Sequence, residues 1–315
     1  MRILLLLLFV LQSFCLQSFA ADKVAKPNIV VIMVDDMGYG DPTCFNSESK
    51  ILTPHIDSLA RDGMRFTDAH APGPLCHMSR SGLLTGRYPF RTDVSRWRKQ
   101  PLIESGQTTI ASLLQTQGYH TAMVGKWHLG FEENGYDKPL PGGPVDHGFD
   151  SYFGIPYSND MDGVKGKNRN LDRAWIERDI SPWNVPLLRN TKEIERPVNQ
   201  NTIIERYTQE AQQFIHSNKD KPFFVYLPHT FPHLPLFASP DFHGKSANGR
   251  YGDAIEEIDW STGQILDCLD RLELTENTLV IFTSDNGSNG RNGGSNQPLS
   301  GGKGLTMEGG GCECP

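Results

Sequence analysis

Two strand-like runs end in the same way, and that shared ending constrains the fold more than any other feature of the sequence. Ile29-Val30-Val31-Ile32-Met33-Val34 leads directly into Asp35-Asp36, and Leu279-Val280-Ile281-Phe282-Thr283-Ser284 leads into Asp285-Asn286. Short apolar runs rich in β-branched residues read as strands buried on both faces, the kind found in parallel sheets. In an open α/β sheet, ligands bind outside the carboxyl ends of such strands. Paired oxygen donors gathered there would repel one another without a cation, and an all-oxygen set favours calcium or magnesium over zinc. Either acidic pair alone reads more readily as a turn or a helix cap. Two pairs at matching positions point instead to a metal site made by Asp35, Asp36, Asp285 and Asn286.

The remaining pattern agrees with an α/β fold, a largely parallel central sheet flanked by helices. Strands are expected at Asn28 to Val34, Met64 to Thr67, His120 to Val124, Phe223 to Leu227 and Thr278 to Thr283. Helices are expected at Pro54 to Arg61, Ser79 to Leu84, Thr109 to Gln117, Ile203 to His216 and Ala254 to Leu272. The polar, Pro- and Gly-rich stretch from Glu132 to Pro197 has weak periodicity and reads as a long excursion of the kind that builds substrate pockets. From Gly287 the composition shifts to Gly, Ser and Asn, and the sequence closes on Gly309-Gly310-Gly311-Cys312-Glu313-Cys314-Pro315 without a closing element. This predicts a chain cut short of its natural fold.

Arg2 followed by the apolar run Ile3 to Leu11, with small residues around Ala20, reads as a secretory signal peptide over residues 1–21. The apolar run falls well short of the roughly 20 residues that a spanning helix needs, so no membrane association is expected once it is removed. A secreted or periplasmic location follows, lysosomal or extracellular in a eukaryote. Six cysteines include Cys15 in that segment, leaving an odd number and at least one thiol unpaired within the chain. With 30 Lys and Arg against 37 Asp and Glu, and no basic cluster, the chain is unsuited to nucleic acid.

A second chemical signal is Cys76-His77-Met78-Ser79-Arg80-Ser81-Gly82-Leu83-Leu84-Thr85-Gly86-Arg87, which follows the turn Pro72-Gly73-Pro74. It places Cys76 at a helix start, where backbone donors favour an anion and a cysteine is reactive. An isolated cysteine would more often be a buried structural thiol. This stretch resembles the modification motif of the type I sulfatases, Cys-x-Pro-Ser-Arg followed by Leu-Thr-Gly-Arg, in which the cysteine becomes formylglycine. Gly125-Lys126-Trp127-His128-Leu129-Gly130 resembles the family's second motif, and Val34-Asp35-Asp36-Met37-Gly38-Tyr39-Gly40-Asp41 its amino-terminal metal motif. The resemblance runs from Pro27 to Gly310 and is of the arylsulfatase A kind, on the alkaline phosphatase-like fold.

The resemblance implies a catalytic domain over residues 22–310, a non-family tail over 311–315, and the absence of the family's smaller carboxy-terminal subdomain. It implies hydrolysis of aryl or carbohydrate sulfate monoesters, with Ca2+ favoured over Mg2+ and held by Asp35, Asp36, Asp285, Asn286 and the modified Cys76. A hydrated aldehyde carries two hydroxyls on one carbon, so one attacks sulfur and the other later expels the sulfate. Arg80, one helical turn from Cys76, would hold that hydrate. Lys126 would hold the sulfate and His128 take a proton; the two alternate on what reads as an extended segment.

His233, in Pro228-His229-Thr230-Phe231-Pro232-His233-Leu234-Pro235, would donate to the leaving oxygen, with Lys303 as a second sulfate-binding lysine and Ser158 in the pocket. His229 stays open between a structural role and a substrate contact. A sulfatase-maturing or formylglycine-generating enzyme is an implied partner, and Met78, where the family has proline or alanine, departs from the motif it reads. Phosphonate or phosphate ester hydrolysis on the same scaffold, or a truncated glycan-binding relic, are the alternatives.

Overall fold

A computed structural model describes residues 26–98, 100–131, 141–305 and 308. The expected signal peptide at 1–21 and tail at 311–315 lie outside the described residues.

Seven strands form one sheet in the order β5-β4-β3-β2-β6-β1-β7. They are β1 (Asn28–Val34), β2 (His120–Val124), β3 (Ser151–Gly154), β4 (Leu187–Arg189), β5 (Lys192–Glu195), β6 (Phe223–Pro228) and β7 (Thr278–Ser284). β1 pairs in parallel with both β6 and β7, and β2 in parallel with β3 and β6. Only β4 runs against the rest, pairing antiparallel with β3 on one side and with the edge strand β5 on the other. The sheet is therefore largely parallel, as the apolar runs require.

Alternation along the central strands divides the core into two layers. Val30, Ile32 and Val34 of β1, with Phe223, Val225 and Leu227 of β6, face the layer covered by α5 (Ile203–Ser217) and α6 (Gly249–Arg271). Val31 and Met33, with Phe224 and Tyr226, face the other layer, with Leu84 of α2 (Cys76–Thr85) and Ala111 of α3 (Ile110–Thr116). Both faces of β1 and β6 are thus buried, so these strands carry no polar face. The remaining helices are α1 (Pro54–Asp62) and α4 (Leu171–Glu177). Thr109 caps α3 through a reciprocal bond with Ser112.

The expected strand at Met64 to Thr67 does not form; Met64 and Phe66 are 77% and 64% exposed. No strand of the sheet pairs with residues 64–67, and the outer edge of β7 stays without a partner strand among the described residues. The Glu132 to Pro197 stretch carries more order than its sequence suggested, since β3, β4, β5 and α4 lie within it. Cys44, Cys76 and Cys268 are unpaired, and among the described residues no helix is long and apolar enough to cross a membrane.

Candidate active site at the strand ends

The carboxyl ends of β1, β2, β3, β6 and β7 converge on one buried polar centre. β1 delivers Asp35 and Asp36, and β7 delivers Asp285 and Asn286, in neighbouring register because Val34 pairs with Ser284. The chain turns at once after β1, and Asp36 takes a φ of 75°, a strained conformation for a non-glycine residue. The turn is held from two sides: the Asp36 amide donates to Asp285 Oδ1 at 3.2 Å, and its carbonyl accepts from the Tyr251 hydroxyl at 3.1 Å. Tyr251 also donates to Asp41 Oδ2 at 2.5 Å, while that carboxylate accepts from the Gly38 and Ser295 amides at 2.7 and 2.6 Å. Burial pushes the Asp41 carboxyl up to about 7, with the Tyr251 bond working against it.

Cys76 is the first residue of α2, and its Sγ lies 3.2 Å from Asp35 Oδ1 and 3.8 Å from Asp36 Oδ1. One ligand atom from each of Asp35, Asp36, Cys76 and Asp285 falls within 4.8 Å of the others, all four residues being buried. Asn286 Nδ2 donates to Asp36 Oδ1 at 2.7 Å, and its Oδ1 is buried with no partner among the described residues. Three carboxylates, a free amide oxygen and residue 76 form a donor set that fits a hard divalent cation. Burial, then the neighbouring Asp35, pushes the Cys76 thiol well up, so as a thiol it is a poor nucleophile.

Arg80 and Lys126 brace this centre from beneath, and both are fully buried. Arg80 Nε and Nη2 donate to Asp285 Oδ2 at 3.0 and 2.8 Å, and Nη1 to the Lys126 carbonyl at 2.8 Å. Lys126 Nζ donates to Asp35 Oδ2 and reaches Ser158 Oγ at 3.2 Å. Burial alone would raise the Asp35 carboxyl, yet Lys126 and Arg80 together hold it well below the usual range. Asp285 is pushed up to about 7 by burial and by Asp35, with Arg80 opposing. The Arg80 guanidinium is thus anchored on Asp285, one helical turn from Cys76.

The remaining residues ring the opening. Lys303 Nζ donates to Asp36 Oδ2 at 2.7 Å and to Cys76 Sγ at 3.5 Å. His233 Nδ1 lies 2.7 Å from the Leu234 carbonyl and 3.4 Å from Ser158 Oγ, and Nε2 lies 3.9 Å from Asp36 Oδ2. His128 is not on an extended segment as expected. Its φ is 59°, which turns the ring edge-on to Trp97, with centroids 4.6 Å apart, and leaves both ring nitrogens without a partner among the described residues. Burial, reinforced by Lys126 and Arg80, lowers its pKa well below the ordinary value. His229 stands apart, fully buried with Nε2 3.5 Å from Ser261 Oγ, and burial lowers it to about 3. Its Nδ1 is buried with no partner among the described residues.

Sequence reasoning missed Tyr251, Asp41 and Trp97. Asp41 sits inside the quoted amino-terminal motif and was within reach; Tyr251, a helical residue 210 positions from Asp41, had no local signal.

The sulfatase family model matches residues 27–315. Human steryl-sulfatase is 34% identical over 98% of this chain, and mouse N-acetylgalactosamine-6-sulfatase 37% identical over 96%. The chain spans 64% and 59% of those two relatives' own lengths. A solved structure described under the metabolism of multiple glycosaminoglycans by Bacteroides thetaiotaomicron superposes with a TM-score of 0.78, at 31% identity, covering 92% of this chain and 71% of that one. The chain belongs to the sulfatase family.

Proposed function

We propose that this protein hydrolyses sulfate monoesters, with residues 22–310 forming the catalytic domain of an exported enzyme whose signal peptide is residues 1–21. The observation that carries the reading is the meeting of Cys76 with three buried carboxylates, two lysines and two histidines at the ends of parallel strands. Asp35, Asp36, Asp285, Asn286 and residue 76 would hold Ca2+, which supplies charge stabilisation on the sulfate oxygens and lowers the pKa of the attacking hydroxyl. Calcium suits the crowded five-residue donor set better than magnesium, which keeps several of its own waters. Oxidation of Cys76 to formylglycine by a maturing enzyme supplies the hydrated aldehyde, whose two hydroxyls serve attack and release.

The chain's own residues do the rest. Lys126, fixed between Asp35 and Ser158, and Lys303, beside Asp36 and Cys76, hold the anionic oxygens. His233 donates Nδ1–H to the Leu234 carbonyl, so Nε2 bears a proton only in the imidazolium form, from which it gives that proton to the leaving oxygen. Burial, then Lys126 and Lys303, lower its pKa, so a proton held at Nε2 is readily given up. His128, kept neutral by burial, accepts a proton at a ring nitrogen. Turnover of 4-nitrophenyl sulfate and 4-nitrophenyl phosphate by protein co-expressed with a maturing enzyme tests this. Sulfate is expected to be the better substrate, and a preference for phosphate of about a hundredfold would overturn the reading.

A further inference from the structure

Next to His233 and Lys303 the site opens into a cavity of about 530 Å³, and Asp160, Arg169, Trp183 and Asn289 contribute to its wall. Six of its ten lining residues are charged or polar, and the catalytic chemistry above uses only Asp36, His233 and Lys303 of these. Asp160 Oδ1 is buried with no hydrogen-bond partner among the described residues. Arg169 Nη1 lies 3.4 Å from the Asp160 carbonyl, over Gly163, where a Cβ would come within 3.1 Å of that nitrogen.

The wall is fixed before any ligand arrives. Asn159 Nδ2 donates to the Pro235 carbonyl at 2.9 Å and to Gln200 Oε1 at 3.1 Å, tying the Asp160 loop to the His233 loop. Gly163 bridges Trp183, and the Asn184 and Val164 amides donate to Asp162 and Pro182 carbonyls at 2.9 Å each. A fixed wall spares a ligand the cost of ordering it.

We propose that this cavity is a subsite for an acidic sugar, in which Asp160 accepts from a ring hydroxyl and Arg169 binds an anionic group on the sugar or its neighbour; the assignment rests on the sulfate-ester reading. A carboxylate with an unmet acceptor needs a donor, and a polyhydroxylated ring brings several. A guanidinium at the rim is suited to a carboxylate or a second sulfate. A fused hydrocarbon ring system would bury Asp160, Arg169 and Asn289 against apolar surface with nothing to bond, at a cost per group. Leu171 gives the apolar face of a sugar ring a surface to lie on.

The test compares the wild type, Asp160→Asn and Arg169→Ala on monosulfated hexosamine–hexuronate disaccharides, on the same disaccharides with the carboxylate reduced to an alcohol, on disulfated hexosamine, and on 4-nitrophenyl sulfate. The expected result is that Arg169→Ala lowers the ratio of kcat/KM for an anionic sugar to that for 4-nitrophenyl sulfate by about tenfold or more. The reduced disaccharide should lose that dependence, and the uronate and disulfated arms show which anion Arg169 binds. Asp160→Asn should raise KM more than it lowers kcat on the same sugars. Ratios unchanged in both variants, or a loss shared equally by sugar and aryl sulfates, would overturn the proposal. Calorimetric binding of the desulfated disaccharide separates the two readings: Arg169-dependent binding by a protein that hydrolyses no sulfate ester would keep the sugar subsite and remove the sulfatase activity.

Discussion

Cys76 and Arg80 sit on one face of α2, one turn apart, yet they answer to different physics. Cys76 is buried and held as a thiol by its surroundings, so the proposed reaction depends on its conversion rather than on its ionisation. Cys76→Ala is expected to lower sulfate turnover by about a thousandfold or more, since removal of a nucleophile leaves only binding and electrostatic contributions. In the active material, the tryptic peptide containing residue 76 should show by mass that the thiol has become an aldehyde. Arg80 is the only guanidinium on the buried Asp285 among the described residues. Arg80→Leu leaves that carboxylate unpaired and is expected to destabilise the fold by about 3–5 kcal/mol, read as a fall in unfolding midpoint in denaturant. Arg80→Lys keeps the charge but not the fork on Asp285, and should fall between the two in stability.

At the scale of elements, α6 carries a titratable group facing the apolar layer. Glu257 accepts from the Ser239 amide at 3.0 Å through Oε2, while Oε1 is buried without a partner among the described residues. Burial raises it from 4.5 to about 7, only partly offset by the Ser239 bonds. A carboxyl whose folded pKa lies above its unfolded value contributes stability that is complete below about 4.5 and is lost as pH rises through about 7. The loss attributable to Glu257 is at most about 3 kcal/mol. Thermal unfolding at pH 5 and pH 8 should show a larger fall for the wild type than for Glu257→Gln, and equal falls would contradict the assignment.

The elements themselves were legible where periodicity and burial coincide. β1, β2, β6 and β7 begin and end within a residue of their apolar runs; β1, β2 and β6 do so because strands buried on both faces must be apolar throughout, whereas the edge strand β7 keeps its apolar run although Leu279 and Ile281 are exposed. Met64 to Thr67 misled because a four-residue apolar run does not by itself show whether it will find a pairing partner, and here Met64 and Phe66 stay exposed. The turn at His128 misled for a related reason. Its positive φ is imposed by contacts from elsewhere in the fold: its amide donates to the Pro156 carbonyl at 3.0 Å, and its ring meets Trp97, so local sequence carries little of it. Tyr251 was invisible in the same way, as one aromatic in a helical pattern whose hydroxyl happens to end at Asp36.

Across the whole molecule, the site sets the balance of buried charge. Asp35, Asp36 and Asp285 face Arg80, Lys126 and Lys303, three anions against three cations, in ion pairs at strand ends contributed by distant parts of the chain. Adding a divalent cation alone to so balanced a centre crowds positive charge, and adding a sulfate dianion alone crowds negative charge. Adding both restores the balance. Calcium and inorganic sulfate should therefore bind with positive coupling, each tightening the other by the same factor, as thermodynamic linkage requires. Differential scanning calorimetry in calcium, in sulfate and in both measures it. A ligand at a hundred times its Kd stabilises by about 2.7 kcal/mol, so independent binding gives additive shifts and coupling gives a shift beyond the sum. A chelator should abolish the sulfate-dependent part as well as the calcium-dependent part. Magnesium, less suited to the crowded oxygen donors, should reproduce little of either. Strictly additive shifts would mean that the two ions do not share the charge of this centre.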